Sequence, residues 1–385
     1  MIKSKLLPVI TALGILNMLP FSRQSATAEA EIPASGPQVT DVFVSGTEGY
    51  HTFRIPAVVV TNRGTVLAFC EGRKGSQNDH GDVDLVLKRS LDGGKTWAKM
   101  QRVHEEGGDA GITIGNPVPV VDQSNGTIWL FFCRNSKRLF VTRSMDDGAT
   151  WSKPLEVTEQ VKPGGPEHDI WTGPVHGIQL RYGAREGRLV IPCSAHDKKG
   201  TQRCWIIYSD DHGRTWQIGQ PTDRGSECVA VETVGGELYL NARRRTLPDY
   251  RDVARSKDGG ETWSEQITQD KNLLDTRCQA SLCRYSDSKT GDKNRILYSS
   301  PAVKKRLGTT DKNPRVSMTI RVSYDECKTW SAGKVLYPGP SGYSDLCVLP
   351  DKTILCLYER GANDYREKIT VARFKLDWLA EDQKN

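Results

Sequence analysis

Carboxylates are the groups in this sequence whose spacing first suggests chemistry. Five aspartates recur inside one skeleton, Ser-x-Asp-x-Gly-x-Thr-Trp: Asp92, Asp146, Asp211, Asp258 and Asp325, with Cys327 replacing the glycine in the fifth copy. Clustered carboxylates can move protons or hold calcium, but identical groups repeated at separate places cannot converge on one substrate. The chemistry that fits them is local. Aspartate accepts backbone N–H groups within a tight turn, glycine supplies a positive φ, threonine adds a hydroxyl bond and tryptophan buries apolar area. A second carboxylate cluster does not repeat. In SQNDHGDVDLVLKRS, Asp79 lies in a loop, Asp82 begins a strand pattern and Asp84 sits inside it. A loop carboxylate that substrate covers rises in pKa and can protonate a leaving oxygen, so Asp79 is the candidate acid and Asp82 and Asp84 are its competitors. No Cys-x-x-Cys or His-x-x-x-His spacing occurs, and no metal or other cofactor is expected.

The skeleton copies begin at Ser90, Ser144, Ser209, Ser256 and Ser323, spacings of 54, 65, 47 and 67 residues. Each interval is the size of a small antiparallel sheet plus loops. Five marked units with unmarked sequence at both ends predict an all-β fold, a six-bladed β-propeller of four-stranded antiparallel sheets. Between copies, β-branched runs alternate with turn signals, such as Asn125-Gly126 in VPVVDQSNGTIWLFF and Gly235-Gly236 in AVETVGGELYLNAR. The tail KITVARFKL is expected to pair with DVFVSG near the start, removing an open sheet edge. Residues 1–30 read as a signal peptide: Lys3 and Lys5, an apolar run from Leu6 to Phe21, and a small-residue cleavage site ending at Ala28 or Ala30. Pro8, Asn17 and Pro20 break the run, which disfavours a membrane anchor. The expectation is a secreted or periplasmic protein with one domain over residues 31–385.

The repeats, together with Phe53-Arg54-Ile55-Pro56 ahead of them, resemble the sialidase (neuraminidase) superfamily, the bacterial exo-α-sialidases with Asp-box repeats and their animal relatives. The resemblance covers essentially the whole chain after the signal peptide. It implies a retaining exo-α-sialidase that removes terminal α-linked sialic acid from glycans, glycoproteins or gangliosides through a tyrosyl covalent intermediate. In that family three arginines from three blades bind the substrate carboxylate, and Arg54, Arg243 (LNAR) and Arg315 (NPRVSMTIRVS) match them. A planar, permanently charged fork suits a carboxylate as lysine does not. Arg321 shares a strand face with Arg315 but lies two residues before a box, at the outer turn. Arg315 lies eight residues before it, about 26 Å at ~3.3 Å per residue, enough to reach the opposite rim. Arg244 and Arg245 remain substitutes for Arg243. Asp79 matches the family's acid/base, Tyr343 its nucleophile and Glu227 the base that activates the tyrosine. A neutral phenol avoids the repulsion that a carboxylate nucleophile meets at a carbon already bearing a carboxylate. Arg73 (CEGR) is implied to touch the substrate's C4 side or the carboxylate region. Asn116, Trp171 and His176 are either pocket residues or turn and packing residues.

Composition sets outer limits. The chain has 385 residues, 26% charged and 37% hydrophobic, an ordinary globular balance. Removing residues 1–28 takes away Lys3, Lys5 and Arg23 and no acid, so the formal charge of +6 becomes +3 and gives no case for nucleic acid. No stretch after the signal peptide is apolar enough to span a membrane. Ten cysteines are spread singly; if Asp351-Lys352 is the turn of CVLPDKTILC, Cys347 and Cys356 lie opposite each other and could pair, the others staying as buried thiols. Two rival readings stand beside hydrolysis: transfer to an acceptor or to an anhydro product by the same residues, and a non-catalytic sialic-acid-binding propeller, which would lack some of them.

Overall fold

β-Branched and aromatic runs form strands here because such side chains pack well on a pleated surface, and strands such as Thr52–Val60, Val66–Arg73 and Ile354–Arg360 are buried along nearly all their length. The computed structural model describes Met1 and residues 36–164, 167–244, 250–263, 266–302 and 315–380; the expected signal peptide lies outside the described residues. The first sheet is a meander of Thr52–Val60, Val66–Arg73, Val83–Ser90 and Gln101–His104. The second runs from Ile114–Val121 to Leu155–Glu156 and the fourth from Cys228–Glu232 to Thr268–Leu274, each with four strands.

Two sheets depart from the expected four strands. The third, built on Glu167–Thr172, Leu189–Asp197 and Gln202–Ser209, gains a short edge strand, Ile178–Gln179. The last has seven strands because one 15-residue strand, Lys334–Val348, serves two sets of neighbours. Its first half pairs with Val316–Ser323, and from Ser341 onward it pairs with Ile354–Arg360. At the far edge Gln38–Val44 pairs with Lys368–Phe374, so the first and last described strands share one sheet, as expected.

Each box holds its turn in the same way. In the second copy, Ser144 Oγ and Thr150 N donate to Asp146 Oδ1 at 2.8 Å each and Thr150 Oγ1 donates to Oδ2 at 2.5 Å. The same bonds recur around Asp92, Asp211, Asp258 and Asp325. Two successive residues turn left-handed in every copy, including Glu326 and Cys327 (φ 62° and 64°). A Cβ at Gly213 would lie 2.2 Å from the Trp129 ring, so that box needs glycine to approach the preceding sheet. The box tryptophans act between sheets: Trp151 packs with the cluster of the first two sheets, Trp216 with that of the second and third, and Trp330 with that of the fourth and the large sheet. Val42, Val58, Leu355 and Val371 join the first sheet to the last.

The cysteine hairpin is shifted from its expected register. Leu349 N donates to Thr353 O and Lys352 is left-handed (φ 64°), giving a three-residue loop instead of two. Cys347 therefore faces Leu355, and Cys356 faces Leu346. Because strand side chains alternate, this one-residue shift puts the thiols on opposite faces, in different apolar clusters. All ten cysteines are free thiols, nine of them buried.

Candidate active site

Strands of the first, second and last sheets kink where they meet one cavity of about 520 Å³. Pairing registers shift between Arg54 and Ala57, Gly115 and Val118, and Ser341 and Ser344. At two of these kinks the backbone is left-handed: Ile55 (φ 62°), a costly conformation for a β-branched residue, and Asn116 (φ 55°). The result aims Arg54 inward and turns the Ile55 N–H toward Glu359, whose Oε1 accepts it at 2.9 Å.

Tyr343 and Glu227 come together across 116 residues of sequence. The tyrosine hydroxyl donates to Glu227 Oε1, and Arg243 Nη1 donates to both Glu227 Oε2 (2.6 Å) and Tyr343 Oη (3.0 Å). Burial pushes the Tyr343 phenol far above the usual tyrosine range, and the Glu227 charge adds to it. Burial also pushes Glu227 up, but the Arg243 charge and the Tyr343 hydrogen bond outweigh it and keep the carboxyl below its ordinary value. The resting pair is thus a neutral phenol beside a carboxylate able to take its proton.

Arg54 and Arg315 complete the basic corner. Their guanidinium carbons each lie 5.3 Å from the Tyr343 ring centroid and 5.3 Å from that of Tyr365. Glu359 grips Arg54 through Nε (2.7 Å) and Nη2 (3.3 Å). The described partners of Arg315 are neutral: Tyr365 Oη at 3.1 Å and Arg277 O at 2.7 Å. Gly342 makes room for this packing, since a Cβ there would lie 2.1 Å from Glu359 Oε2.

Asp79 occupies the loop between Val66–Arg73 and Val83–Ser90, with its side chain 76% exposed. Arg73 Nη1 donates to its Oδ1 at 2.8 Å, and Arg54 Nη1 lies 3.8 Å away. The pocket walls push the Asp79 carboxyl up by desolvation, but the Arg73 and Arg54 charges prevail and hold it below the ordinary aspartate value. The competitors are spoken for. Asp84 is fully buried, accepting from Tyr50 Oη at 2.6 Å and pairing with Lys74, which also holds Asp82 at 3.1 Å.

Of the supporting residues, Arg73, Asn116 and Trp171 line the cavity. His176 does not. It lines a second cavity with Val58 and Leu346, and its Nδ1 meets Asp345 Oδ1 at 2.7 Å. Arg321 is tied to Ser331 O, just after the fifth box, Arg244 pairs with Asp252, and Arg245 lies outside the described residues. Sequence reasoning missed Glu71, Glu359 and Tyr365. The available signal was that buried arginines need counter-charges, and CEGR and YERG each offer a glutamate at a strand end.

Known proteins resemble this chain in sequence and in fold. The family model of the BNR repeat-like domain matches residues 64–356. A sialidase of Micromonospora viridifaciens is 34% identical over 96% of this chain, which spans 59% of that protein's length. An exo-alpha-sialidase of Aspergillus fumigatus is 32% identical over 88% of this chain and 87% of its own. Among solved structures, the Hadza microbial sialidase Hz136 superimposes with a TM-score of 0.78 at 30% identity, covering 89% of this chain and 69% of that one. A BNR-repeat match over most of the chain and relatives above 30% identity make this chain a member of the sialidase superfamily.

Proposed function

We propose that the chain is a secreted or periplasmic retaining exo-α-sialidase, a single six-bladed propeller over residues 31–385 behind a signal peptide of residues 1–30. Its substrates are terminal α-linked sialic acids on glycans, glycoproteins or gangliosides. The blade count is supported by the long strand Lys334–Val348, which divides the seven-stranded sheet into two groups of four that share it. The observation that carries the catalytic reading is Tyr343 Oη held between Glu227 and Arg243 in the cavity that Arg54, Arg315 and Asp79 also line.

The residues divide the reaction into two displacements. Arg54, Arg243 and Arg315 hold the substrate carboxylate. Tyr343 Oη bonds to the anomeric carbon while its proton passes to Glu227; the bond to the departing oxygen breaks, and Asp79 protonates that oxygen. Asp79, now a carboxylate, takes a proton from water as the water oxygen bonds to the same carbon. The carbon–Oη bond breaks and Glu227 returns the proton to Tyr343. Two inversions give net retention. A bound carboxylate offsets the arginine charge and covers the loop, so Asp79 gains its proton when the pocket is filled.

Proton NMR of a sialoside digest tests this reading. The α-anomer of the free sugar is expected first. Early β-anomer, a sialylated acceptor, an anhydro sugar or no turnover would overturn retaining hydrolysis.

A further inference from the structure

We infer that Glu71 is the positioning residue of the acid/base: acting through Arg73, it sets where Asp79 sits and how much positive charge that carboxyl meets. The inference rests on the sialidase reading above. Glu71 is buried in Val66–Arg73, and both its oxygens are engaged. Oε2 accepts from Arg73 Nε at 3.0 Å and Nη2 at 2.6 Å, and Oε1 accepts from Asn116 N at 3.0 Å. This grip fixes one edge of the guanidinium. The remaining nitrogen, Nη1, reaches into the loop, donating to Asp79 Oδ1 at 2.8 Å and to Gln77 O at 2.7 Å. Residues 74–82 form neither helix nor strand, so the guanidinium is the fixed point against which the exposed Asp79 is set.

The clamp is built twice, which argues against an incidental pair. In the large sheet, Glu359 grips the Nε and Nη2 edge of Arg54 and accepts the N–H of the left-handed Ile55. In the first sheet, Glu71 grips the same edge of Arg73 and accepts the N–H of the left-handed Asn116. Both carboxylates have seats cleared by glycine: a Cβ at Gly342 would lie 2.1 Å from Glu359, and one at Gly115 would lie 2.4 Å from Glu71. The two clamps differ in what the free edge faces. The free Nη1 of Arg73 donates to Asp79 Oδ1 at 2.8 Å, whereas that of Arg54 stays 3.8 Å from the same oxygen.

The charged groups around Asp79 are Arg73 and Arg54, with the titratable His80 adjacent in sequence, Arg366 joined to the loop through Gln77 and the Glu71 carboxylate behind Arg73. Glu71→Gln keeps the shape of the clamp and removes its charge. Arg73 then acts on Asp79 without compensation and favours the deprotonated acid.

The test measures kcat and KM against pH for a natural alkyl sialoside and an activated aryl sialoside, with thermal melting of each variant. For Glu71→Gln the alkaline limb of kcat on the alkyl substrate is expected to move about 0.5 to 1 pH unit toward acid, with kcat down about tenfold and KM nearly unchanged. The aryl substrate, whose leaving group needs little protonation, should lose less than about threefold. Glu71→Asp should restore part of the limb, and Arg73→Lys, which keeps charge but loses the fork, should slow the alkyl substrate without moving its limb. Equal losses on both substrates with an unmoved limb, or unchanged kinetics in Glu71→Gln, overturn the positioning role. Wild-type protein inert toward both substrates overturns the sialidase reading first.

Discussion

Asp146→Asn separates turn-building from chemistry at the repeated aspartates. Asn approximates a permanently protonated Asp146, keeping the side-chain shape and one acceptor while losing the charge. The network lowers the Asp146 carboxyl from 3.8 to about 2, led by the Thr150 hydroxyl and backbone N–H. Fully expressed, that shift is worth about 2.5 kcal/mol, and screening at this solvent-facing turn reduces it to about 1 to 1.5 kcal/mol. Unfolding entropy of about 2 cal/mol/K per residue over a unit of this size converts the loss to a Tm shift of about 2 °C. Because the folded carboxyl titrates below the unfolded one, its stabilisation is complete above the unfolded pKa and fades as pH falls through about 2. Melting curves of wild type and Asp146→Asn should therefore differ by about 2 °C at pH 6 and draw together below pH 4, with unchanged kinetic constants in the folded fraction. A gap that stays constant down to pH 3 would refute the electrostatic account, and lost activity at unchanged Tm would mean that the box carboxylate does chemistry.

Further expectations follow from the site. Arg315→Ala, whose described partners are neutral, should weaken substrate binding by about 2 to 5 kcal/mol with little loss of Tm, measurable by titration with a sialic-acid analogue. Arg54→Ala and Arg243→Ala should lose both binding and stability, because each leaves a buried glutamate without its cation. Asp79→Ala should lose about 100-fold more activity on an alkyl than on an aryl sialoside, whereas Tyr343→Phe should slow both; an equal loss for Asp79→Ala would remove it as the acid. Alkylation in denaturant without reductant should add ten adducts per chain, and eight would restore the Cys347–Cys356 pair that the hairpin register separates.

The parts of the fold written in short-range sequence were legible. Each box contains donor, acceptor and left-handed turn within eight residues, so its geometry follows from its letters. Asp79, Glu227 and Tyr343 could be matched because each sits in a distinctive local motif, and the structure brings all three to one cavity. What was missed, apart from Glu71 beside its own partner Arg73, lies in partners distant along the chain or in backbone left unmarked by glycine. Glu359 serves Arg54 from 305 residues away, and nothing in YERG names that partner. Lys352 adopts a left-handed conformation without being glycine or asparagine, and that single residue moved the cysteine register. His176 could be read from sequence as a pocket or a packing residue, and its bond to the distant Asp345 places it away from the cavity.

The pairing of Gln38–Val44 with Lys368–Phe374 has a consequence for how the protein is made. A ribosome delivers the first of these segments long before the second: at roughly 5 to 20 residues per second, about 15 to 60 s separate Arg54 from Glu359. Throughout that interval the nascent chain carries an unpaired edge strand and a guanidinium without its carboxylate. The pocket is therefore complete only after Glu359 has been made, and a chain that stops short of Lys368–Phe374 leaves an adhesive edge for chaperones or proteases to find.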